Sequence, residues 1–207
     1  MATTWKFFTK TADAWDAMYA DCAAAKRTIL MEQFIFDDEP IGHRFTELFI
    51  KKVQEGVQVK LLLDMVGSSV AYRGALGAKL RAGGVDVVFF NPISPWRVTN
   101  ITGWFFRDHR KFLIVDSAIA HTGGVGLNGK TSDWRDTNIR IQGPVVGEME
   151  MTFQKMWLFA HERQFIRFNN PLMSFHGFQL VTNSPRLRQK YFYRRFRMAI
   201  RNARRSI

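Results

Sequence analysis

The chain has 207 residues, of which 46% are hydrophobic, so it can bury the core of one large domain, or of one domain and part of another. Its formal net charge of +12 is uneven, because residues 185–207 contain nine Lys or Arg and no Asp or Glu. The rest of the chain has 21 basic and 18 acidic residues. This near balance argues against nucleic acid as the main partner.

The cysteine content and the N-terminal sequence further narrow the kinds of protein to which this chain can belong. Cys22 is the only cysteine, which excludes an internal disulfide and a thiolate zinc cluster and favours a reducing compartment. The opening sequence lacks the apolar segment of a signal peptide, and no apolar run reaches the roughly 18 residues of a membrane-spanning helix. We therefore expect any membrane contact to be peripheral.

The first part of the chain alternates helical and strand-like patterns. The spacing of apolar residues predicts helices over 11–26, 41–54 and 70–82, and strands over 28–36, 57–64 and 85–90. This alternation favours an α/β domain with a mixed, mostly parallel sheet flanked by helices.

The later part departs from this alternation. Residues 91–106 are predicted to form a long loop rich in proline and aromatic residues, and such loops often carry function. The remaining pattern predicts a hairpin over KFLIVD and AIAHTGG, a strand over 139–143, a helix over 145–161, a short strand over 179–185 and a helix over 186–205.

The end of the chain is similar to an earlier segment. IRNARRSI (200–207) matches CAAAKRTI (22–29) in having a helix that ends in small and basic residues before a strand-like start. We interpret 1–178 as a first domain and 179–207 as the beginning of a second, truncated one. A chance likeness between two amphipathic helix ends is the alternative.

Polar residues interrupt the apolar sequence FRDHRKFLIVDSAIAHTGG, residues 106–124. Side chains alternate along a strand, so His109 and Lys111 are expected on the same side, about 7 Å apart. An imidazole can attack phosphorus or transfer a proton, and an ammonium group neutralises charge on phosphate oxygens. The pair therefore indicates an anion site, although an isolated histidine is also compatible with a structural role in the core.

The spacing H-x-K-x-x-x-x-D resembles the signature of the phospholipase D superfamily. The upstream segments KRTILMEQFIFDDEPIG, GVQVKLLLDMVGS and GVDVVFFNP are similar to the bacterial cardiolipin synthase branch of that superfamily. The resemblance extends over about 11–207. It implies a phospholipase D-like domain that needs no cofactor and transfers a phosphatidyl group through a phosphohistidine.

The resemblance also implies a role for each of four residues. His109 matches the family histidine, which acts as nucleophile or as the acid that protonates the leaving alcohol, and Lys111 matches the phosphate-binding lysine. Asp116 is expected mainly to support the local structure of the motif. Asp136 falls where relatives place a carboxylate that orients a histidine through its ring N–H.

The turn after the hairpin differs from that of many relatives, in which an asparagine helps to hold the phosphate. Here Gly126 stands at that place, two residues after Gly124. Either backbone N–H groups of this turn bind the phosphate or Asn128 reaches in, and we favour the backbone.

Two further carboxylates lie in predicted strands, Glu32 within an apolar strand and Asp64 at a strand end. Glu32 belongs to a pocket that binds substrate or phosphate, or it is a strand-end carboxylate bonded to backbone, and Asp64 is placed similarly. His43, His121 and His176 lack the spacing of metal ligands, so no metal site is expected.

The resemblance implies a mechanism with two histidines, yet the sequence contains no second H-x-K. We therefore expect the site to need either a missing C-terminal half or a homodimer partner. On its own, this chain is expected to have little or no activity.

The leading hypothesis is a phosphatidyltransferase that acts on anionic phospholipid at the cytoplasmic face of the cell membrane. Trp96, Trp104, Phe105 and Phe106 either contact the membrane interface or pack into the core. The alternatives are a hydrolase, of phospholipase D type or dimeric nuclease type, and a non-enzymatic domain that binds anionic membranes.

Overall fold

The computed structural model describes residues 2–92, 106–161, 174–175, 178–182 and 191–206. The strands are β1 Thr4–Lys10, β2 Thr28–Gln33, β3 Gln58–Asp64, β4 Asp86–Phe90, β5 Phe112–Val115, β6 Ile119–Gly123, β7 Arg135–Gln142, β8 Ser174–Phe175 and β9 Phe178–Gln179. The helices are α1 Thr11–Ala24, α2 Pro40–Gln54, α3 Ser69–Arg73, α4 Ala75–Ala82, α5 Val145–His161 and α6 Tyr191–Asn202. A short 3₁₀ turn covers Gly129–Thr131.

Seven strands form one mixed sheet in the order β1-β7-β6-β5-β2-β3-β4. Only β2-β3 and β3-β4 pair in parallel, and the other four pairings of this sheet are antiparallel. The expected α/β fold with a mixed sheet flanked by helices is confirmed. The expectation that the sheet is mostly parallel is wrong, because it extended the early strand–helix alternation to strands that are joined without helices.

The antiparallel part begins at the tight turn between β5 and β6. Asp116 and Ser117 both have positive φ angles, of 53° and 57°, as in the two-residue turns that reverse a strand directly. β7 continues this meander, and β1, which the sequence did not predict, pairs with β7 as an antiparallel edge strand.

The core has two layers, one on each face of the sheet. On one face, α1 and α2 pack their apolar sides against the strands, with Phe45 and Phe49 of α2 fully buried. On the other face, α5 covers the sheet with Phe153 and Met156. Strand β3, which lies between β2 and β4, has leucines buried on both faces, as expected for a parallel strand between helical layers.

Several predicted elements differ in extent from those observed. The helix expected over 70–82 is divided at Gly74, which has an extended backbone. The strand expected over 139–143 starts at Arg135 and ends at Gln142. Most of the loop expected over 91–106, and residues 183–190, lie outside the described residues.

No helix in the described part of the chain has both the length and the apolar character needed to cross a membrane.

The α5 layer supplies a direct test of the fold. Phe153 has no exposed surface, whereas Met151 on the same helix is 48% exposed. Phe153→Ala is expected to lower the free energy of unfolding by about 3–5 kcal/mol, because it leaves a cavity against the sheet. Urea unfolding measures this change, with Met151→Ala as a control that shifts it by less than about 0.5 kcal/mol. Equal costs for the two variants would contradict the two-layer core.

Candidate active site

Strand order brings the predicted site residues to one edge of the sheet. Because β5 runs antiparallel to β2, the residues before β5 lie at the carboxyl end of β2. β6 ends and β7 starts at the same edge. This edge therefore collects His109, Lys111, Gly124 and Asp136, whereas Asp116 lies at the opposite end of β5.

His109 and Lys111 contact each other directly. Lys111 Nζ lies 3.4 Å from Nδ1 and 3.5 Å from Nε2 of His109, and it donates a hydrogen bond of 3.2 Å to the His109 carbonyl. The Phe34 ring packs beside the imidazole, with centroids 4.6 Å apart. His109 is exposed, while Lys111 is only 8% exposed. An accessible imidazole is thus backed by a buried ammonium group.

The surroundings keep the imidazole of His109 neutral. Partial burial is the main cause that lowers its pKa, and the positive charge of Lys111 lowers it further. Asp108 and Asp64 oppose these effects. Burial also lowers the pKa of Lys111, while the negative charge of Asp136 raises it. A neutral imidazole has a free lone pair, which a nucleophile at phosphorus requires.

Asp136 lies against the backbone of the glycine turn. A Cβ added at Gly124 would clash with the Asp136 carboxylate and displace it, so the absence of a side chain at Gly124 lets this carboxylate lie against the turn. Asp136 accepts a hydrogen bond of 2.6 Å from the Thr137 N–H. The hydrogen bonds of the described residues include none between Asp136 and His109, and the orienting role expected of Asp136 stays a prediction.

The proposed phosphate cradle has several of its polar groups already engaged. The Gly124 N–H donates to the Thr137 carbonyl at 3.0 Å. The Gly126 carbonyl accepts from the Trp15 indole at 2.9 Å. Asn128 caps the 3₁₀ turn, because its Oδ1 accepts from the Lys130 N–H at 2.9 Å. The turn is held rigidly, and phosphate binding by Gly124, Gly126 or Asn128 stays a prediction.

Asp116 joins the β5–β6 turn to the start of β2. Its carboxylate accepts three backbone N–H groups, those of Lys26, Arg27 and Thr28, at 2.7–2.9 Å. Burial would raise its pKa, but these hydrogen bonds outweigh burial and lower it. These contacts agree with the structural role expected of Asp116.

Glu32 and Asp64 lie beneath the segment that carries His109. Glu32 has no exposed surface, and both its carboxylate oxygens contact Arg110, at 2.5 and 2.8 Å. Asp64 accepts the N–H of Asp108 at 2.9 Å and contacts Arg107 at 3.4 Å. The sequence suggested a pocket carboxylate or one bonded to backbone. Glu32 instead pairs with a side chain, and Asp64 bonds largely to backbone.

Sequence reasoning missed Arg107, Asp108 and Arg110. The signal was available in the run Arg-Asp-His-Arg-Lys, where four charged residues surround the histidine next to a buried strand. Charges so close to a core need partners, and the strand-end carboxylates Glu32 and Asp64 were the candidates.

Among the described residues, no group of His, Cys, Asp and Glu side chains is arranged to hold a metal ion. His43 pairs with Asp38, and His121 pairs with Asp21. Trp96, Trp104, Phe105 and His176 lie outside the described residues, while Phe106 is 39% exposed.

Asp116→Asn tests the anchor at the far end of β5. The amide retains one acceptor oxygen but loses the charge, so the free energy of unfolding is expected to fall by about 1.5–3 kcal/mol at pH 7. Because the folded-state pKa of Asp116 is lowered, this contribution is present above the unfolded value of about 3.9 and is lost as the pH falls below it. Urea unfolding at pH 7 and pH 3 measures the difference. The exposed Asp133→Asn serves as control, and an unchanged stability of Asp116→Asn at pH 7 would refute the anchor.

Gly124→Ala tests the packing of the turn against Asp136. The added methyl group displaces the Asp136 carboxylate, so the pKa of Lys111 is expected to fall further as that negative charge moves away. NMR titration of the Lys111 ammonium group measures this shift. Gly147→Ala is the matched control, because a Cβ there meets nothing within 4 Å. An unchanged Lys111 pKa in Gly124→Ala would contradict the contact.

Comparisons with known proteins agree with this geometry. Residues 19–157 match the family model described as "Cardiolipin synthase, PLD-like domain". Cardiolipin synthase A of Pseudomonas entomophila is 36% identical in an alignment of length 157, and the match covers 70% of this chain and 31% of that protein. A cardiolipin synthase of Clostridium perfringens is 35% identical in an alignment of length 146, and the match covers 67% of this chain and 30% of that protein. The chain thus spans about a third of the length of these curated relatives.

Solved structures share the fold at low sequence identity. Nuc, a phospholipase D family member from Salmonella typhimurium, has a TM-score of 0.57 and 17% identity and covers 75% of this chain and 93% of its own. NucT from Helicobacter pylori has a TM-score of 0.55 and 12% identity and covers 75% of this chain and 96% of its own. Because the family model matches more than half of the residues, the chain belongs to the family of phospholipase D-like domains found in cardiolipin synthases.

Proposed function

We propose that this chain carries half of a phosphodiester-transfer site, in which His109 acts on phosphorus or on the leaving oxygen. The observation that carries the proposal is the contact between the exposed imidazole of His109 and the buried Lys111 Nζ, 3.4 Å away. Lys111 is placed to neutralise charge that develops on the phosphate oxygens. Family membership supports the phosphodiester chemistry.

In the transfer step, one ring nitrogen of a histidine bonds to phosphorus while the bond from phosphorus to the leaving alcohol breaks. A second histidine gives its proton to that alcohol. An acceptor hydroxyl then attacks the phosphohistidine, the phosphorus–nitrogen bond breaks, and the second histidine takes up the hydroxyl proton. His109 fills one of these two roles.

We propose that a second motif supplies the other histidine. The internal similarity supports this, because aligning Cys22 with Ile200 makes the two helices correspond position by position. The residues of α1 buried against the sheet are Ala14, Trp15, Met18 and Cys22. The matching residues of α6 are Phe192, Tyr193, Phe196 and Ile200, all exposed. In this proposal, residues 179–207 begin a second unit in which α6 is the counterpart of α1, and a homodimer partner is the other possible source.

The proposed substrate is an anionic phospholipid, and the proposed activity is that of a cardiolipin synthase-like phosphatidyltransferase at the cytoplasmic membrane face. The names of the curated relatives support this activity over hydrolysis. A hydrolase of the same fold would use water in place of the lipid hydroxyl, and the residues around His109 are the same in both cases.

The test measures conversion of phosphatidylglycerol vesicles by size-separated fractions of the protein. We expect cardiolipin to form only in fractions that contain two motifs, and His109→Ala to reduce the rate at least about 1,000-fold. His43→Ala is the matched control, because His43 lies on α2 and pairs with Asp38. Turnover by a strict monomer, or by His109→Ala, would contradict the proposal, and phosphatidic acid as the only product would favour the hydrolase.

The pH dependence tests the charge state of His109. Because its pKa is lowered, the imidazole is neutral at pH 7 and becomes protonated only below its usual value of about 6.5. If His109 is the nucleophile, the rate declines on the acid side only below about pH 6.5, while the second histidine, which must be protonated, sets the decline on the alkaline side. An acid-side decline that already begins above pH 6.5 would contradict a neutral His109 nucleophile.

A further inference from the structure

We propose that Glu32, acting through Arg110, is a positioning residue that holds His109 at the reacting edge of the sheet. The inference rests on the proposed role of His109. It concerns residues of the buried side of the site, which do not reach the substrate.

The pairing of Arg110 with Glu32 has the geometry of a fork. Arg110 Nε donates to Oε1 of Glu32 at 2.5 Å, and Nη2 donates to Oε2 at 2.8 Å. Two parallel bonds fix both the position and the rotation of the guanidinium group. Since Glu32 belongs to β2, which pairs with β5 on one side and β3 on the other, Arg110 is tied to an interior strand of the sheet.

The other neighbour of His109 is held as well. The Asp108 N–H donates to Asp64 Oδ2 at 2.9 Å, and Asp64 itself is fixed by the N–H groups of Val66 and Gly67. Asp108 in turn accepts the Arg110 N–H at 3.2 Å. On one side of His109 the Asp108 backbone is therefore attached to Asp64 of β3, and on the other the Arg110 side chain is attached to Glu32 of β2.

The side chains of His109 and Arg110 lie in different surroundings. The Arg110 guanidinium lies over the Phe112 ring, at 5.3 Å, and Phe112 belongs to the core layer beneath α5. His109 instead contacts Phe34 and Lys111. A fixed Arg110 side chain on the core side of this segment therefore also fixes the position from which the His109 side chain projects on the opposite side.

Direct contact of Glu32 with substrate does not fit this arrangement. Its side chain has no exposed surface, and both oxygens are bonded to Arg110. Only arginine gives two parallel donors, so a lysine at position 110 keeps the charge and loses the fork. This difference separates a positioning role from a need for charge alone.

The experiment uses the full chain and the variants Glu32→Gln and Arg110→Lys. The readout is the nuclear Overhauser contact between the ring protons of His109 and Phe34, whose centroids are 4.6 Å apart. We expect this contact to be lost in Glu32→Gln and weakened in Arg110→Lys while the amide spectrum stays folded. Arg140→Lys is the matched control, because Arg140 forms a similar fork with Asp21, at 2.7 and 2.9 Å, between β7 and α1. That control should keep the ring contact.

A second readout separates positioning from the proposed chemistry. In an active preparation, Arg110→Lys is expected to lower kcat at least about tenfold with KM changed less than twofold, because misplacing a catalytic group affects mainly the reacting geometry. The double variant Glu32→Gln/Arg110→Gln should lower kcat no more than Arg110→Gln alone, since both changes break the same contact between Glu32 and Arg110.

The outcomes separate the two proposals. An intact ring contact in folded Arg110→Lys overturns the positioning role, even if Glu32→Gln fails to fold. Additive losses in the double variant also overturn it. If the ring contact behaves as expected while His109→Ala keeps full phosphodiester turnover, the positioning role stands and the proposed function fails.

Discussion

The structure depends on the antiparallel pairing of β5 with β2 in the middle of the sheet. The antiparallel strands β6, β7 and β1 follow on one side of this pair, and the parallel strands β3 and β4 follow on the other. This pairing places the start of β5 at the carboxyl ends of the parallel strands β2 and β3, where loops are free to diverge. The segment before β5 can then present an imidazole to solvent while its neighbours bond to buried carboxylates. A parallel β5 would have carried the same residues to the opposite edge.

Charges are concentrated under the site, and they are arranged in compensating pairs. Glu32 and Asp64 face Arg110 and Arg107, and Lys111 lies near Asp108 and Asp136. Burying an ionised group is costly unless it is paired and hydrogen-bonded. The residues at this edge of the sheet supply these partners to one another, while partial burial and Lys111 keep the outward imidazole neutral.

The sequence was informative wherever one local signal determined the structure. The periodic helices, the buried strands β2 to β4 and the motif spacing were all visible, because burial and alternation leave direct marks on residue order. The antiparallel half of the sheet was harder to predict. A strand of polar and aromatic residues such as β1 has no clear strand pattern of its own and is formed by its pairing with the distant β7. The division at Gly74 was also missed, because one glycine inside a helical pattern has only a modest cost.

Partnerships across the sequence were hidden for a different reason. The fork between Glu32 and Arg110 joins residues 78 positions apart, and no local pattern specifies which charge meets which. The sequence indicated only the kinds of residue involved, namely carboxylates in buried strands and a run of charged residues before a strand. The same holds for Asp136, whose proximity to Gly124 follows from the register of β6 with β7.

The number of residues that separate His109 from Asp116 in the motif has a structural reason. Asp116 fastens one end of β5 to the start of β2, and the fork of Arg110 fastens the other. The four residues of β5 pair with Ile29–Glu32 of β2, so about 13 Å of strand separates these two fastenings. A slip of one residue would turn His109 to the opposite face, and a slip of two would pull Asp116 from its three N–H donors. The spacing of the motif is thus a length set by the paired segment of the sheet, and the anchoring of Asp116 fixes the height at which His109 lies.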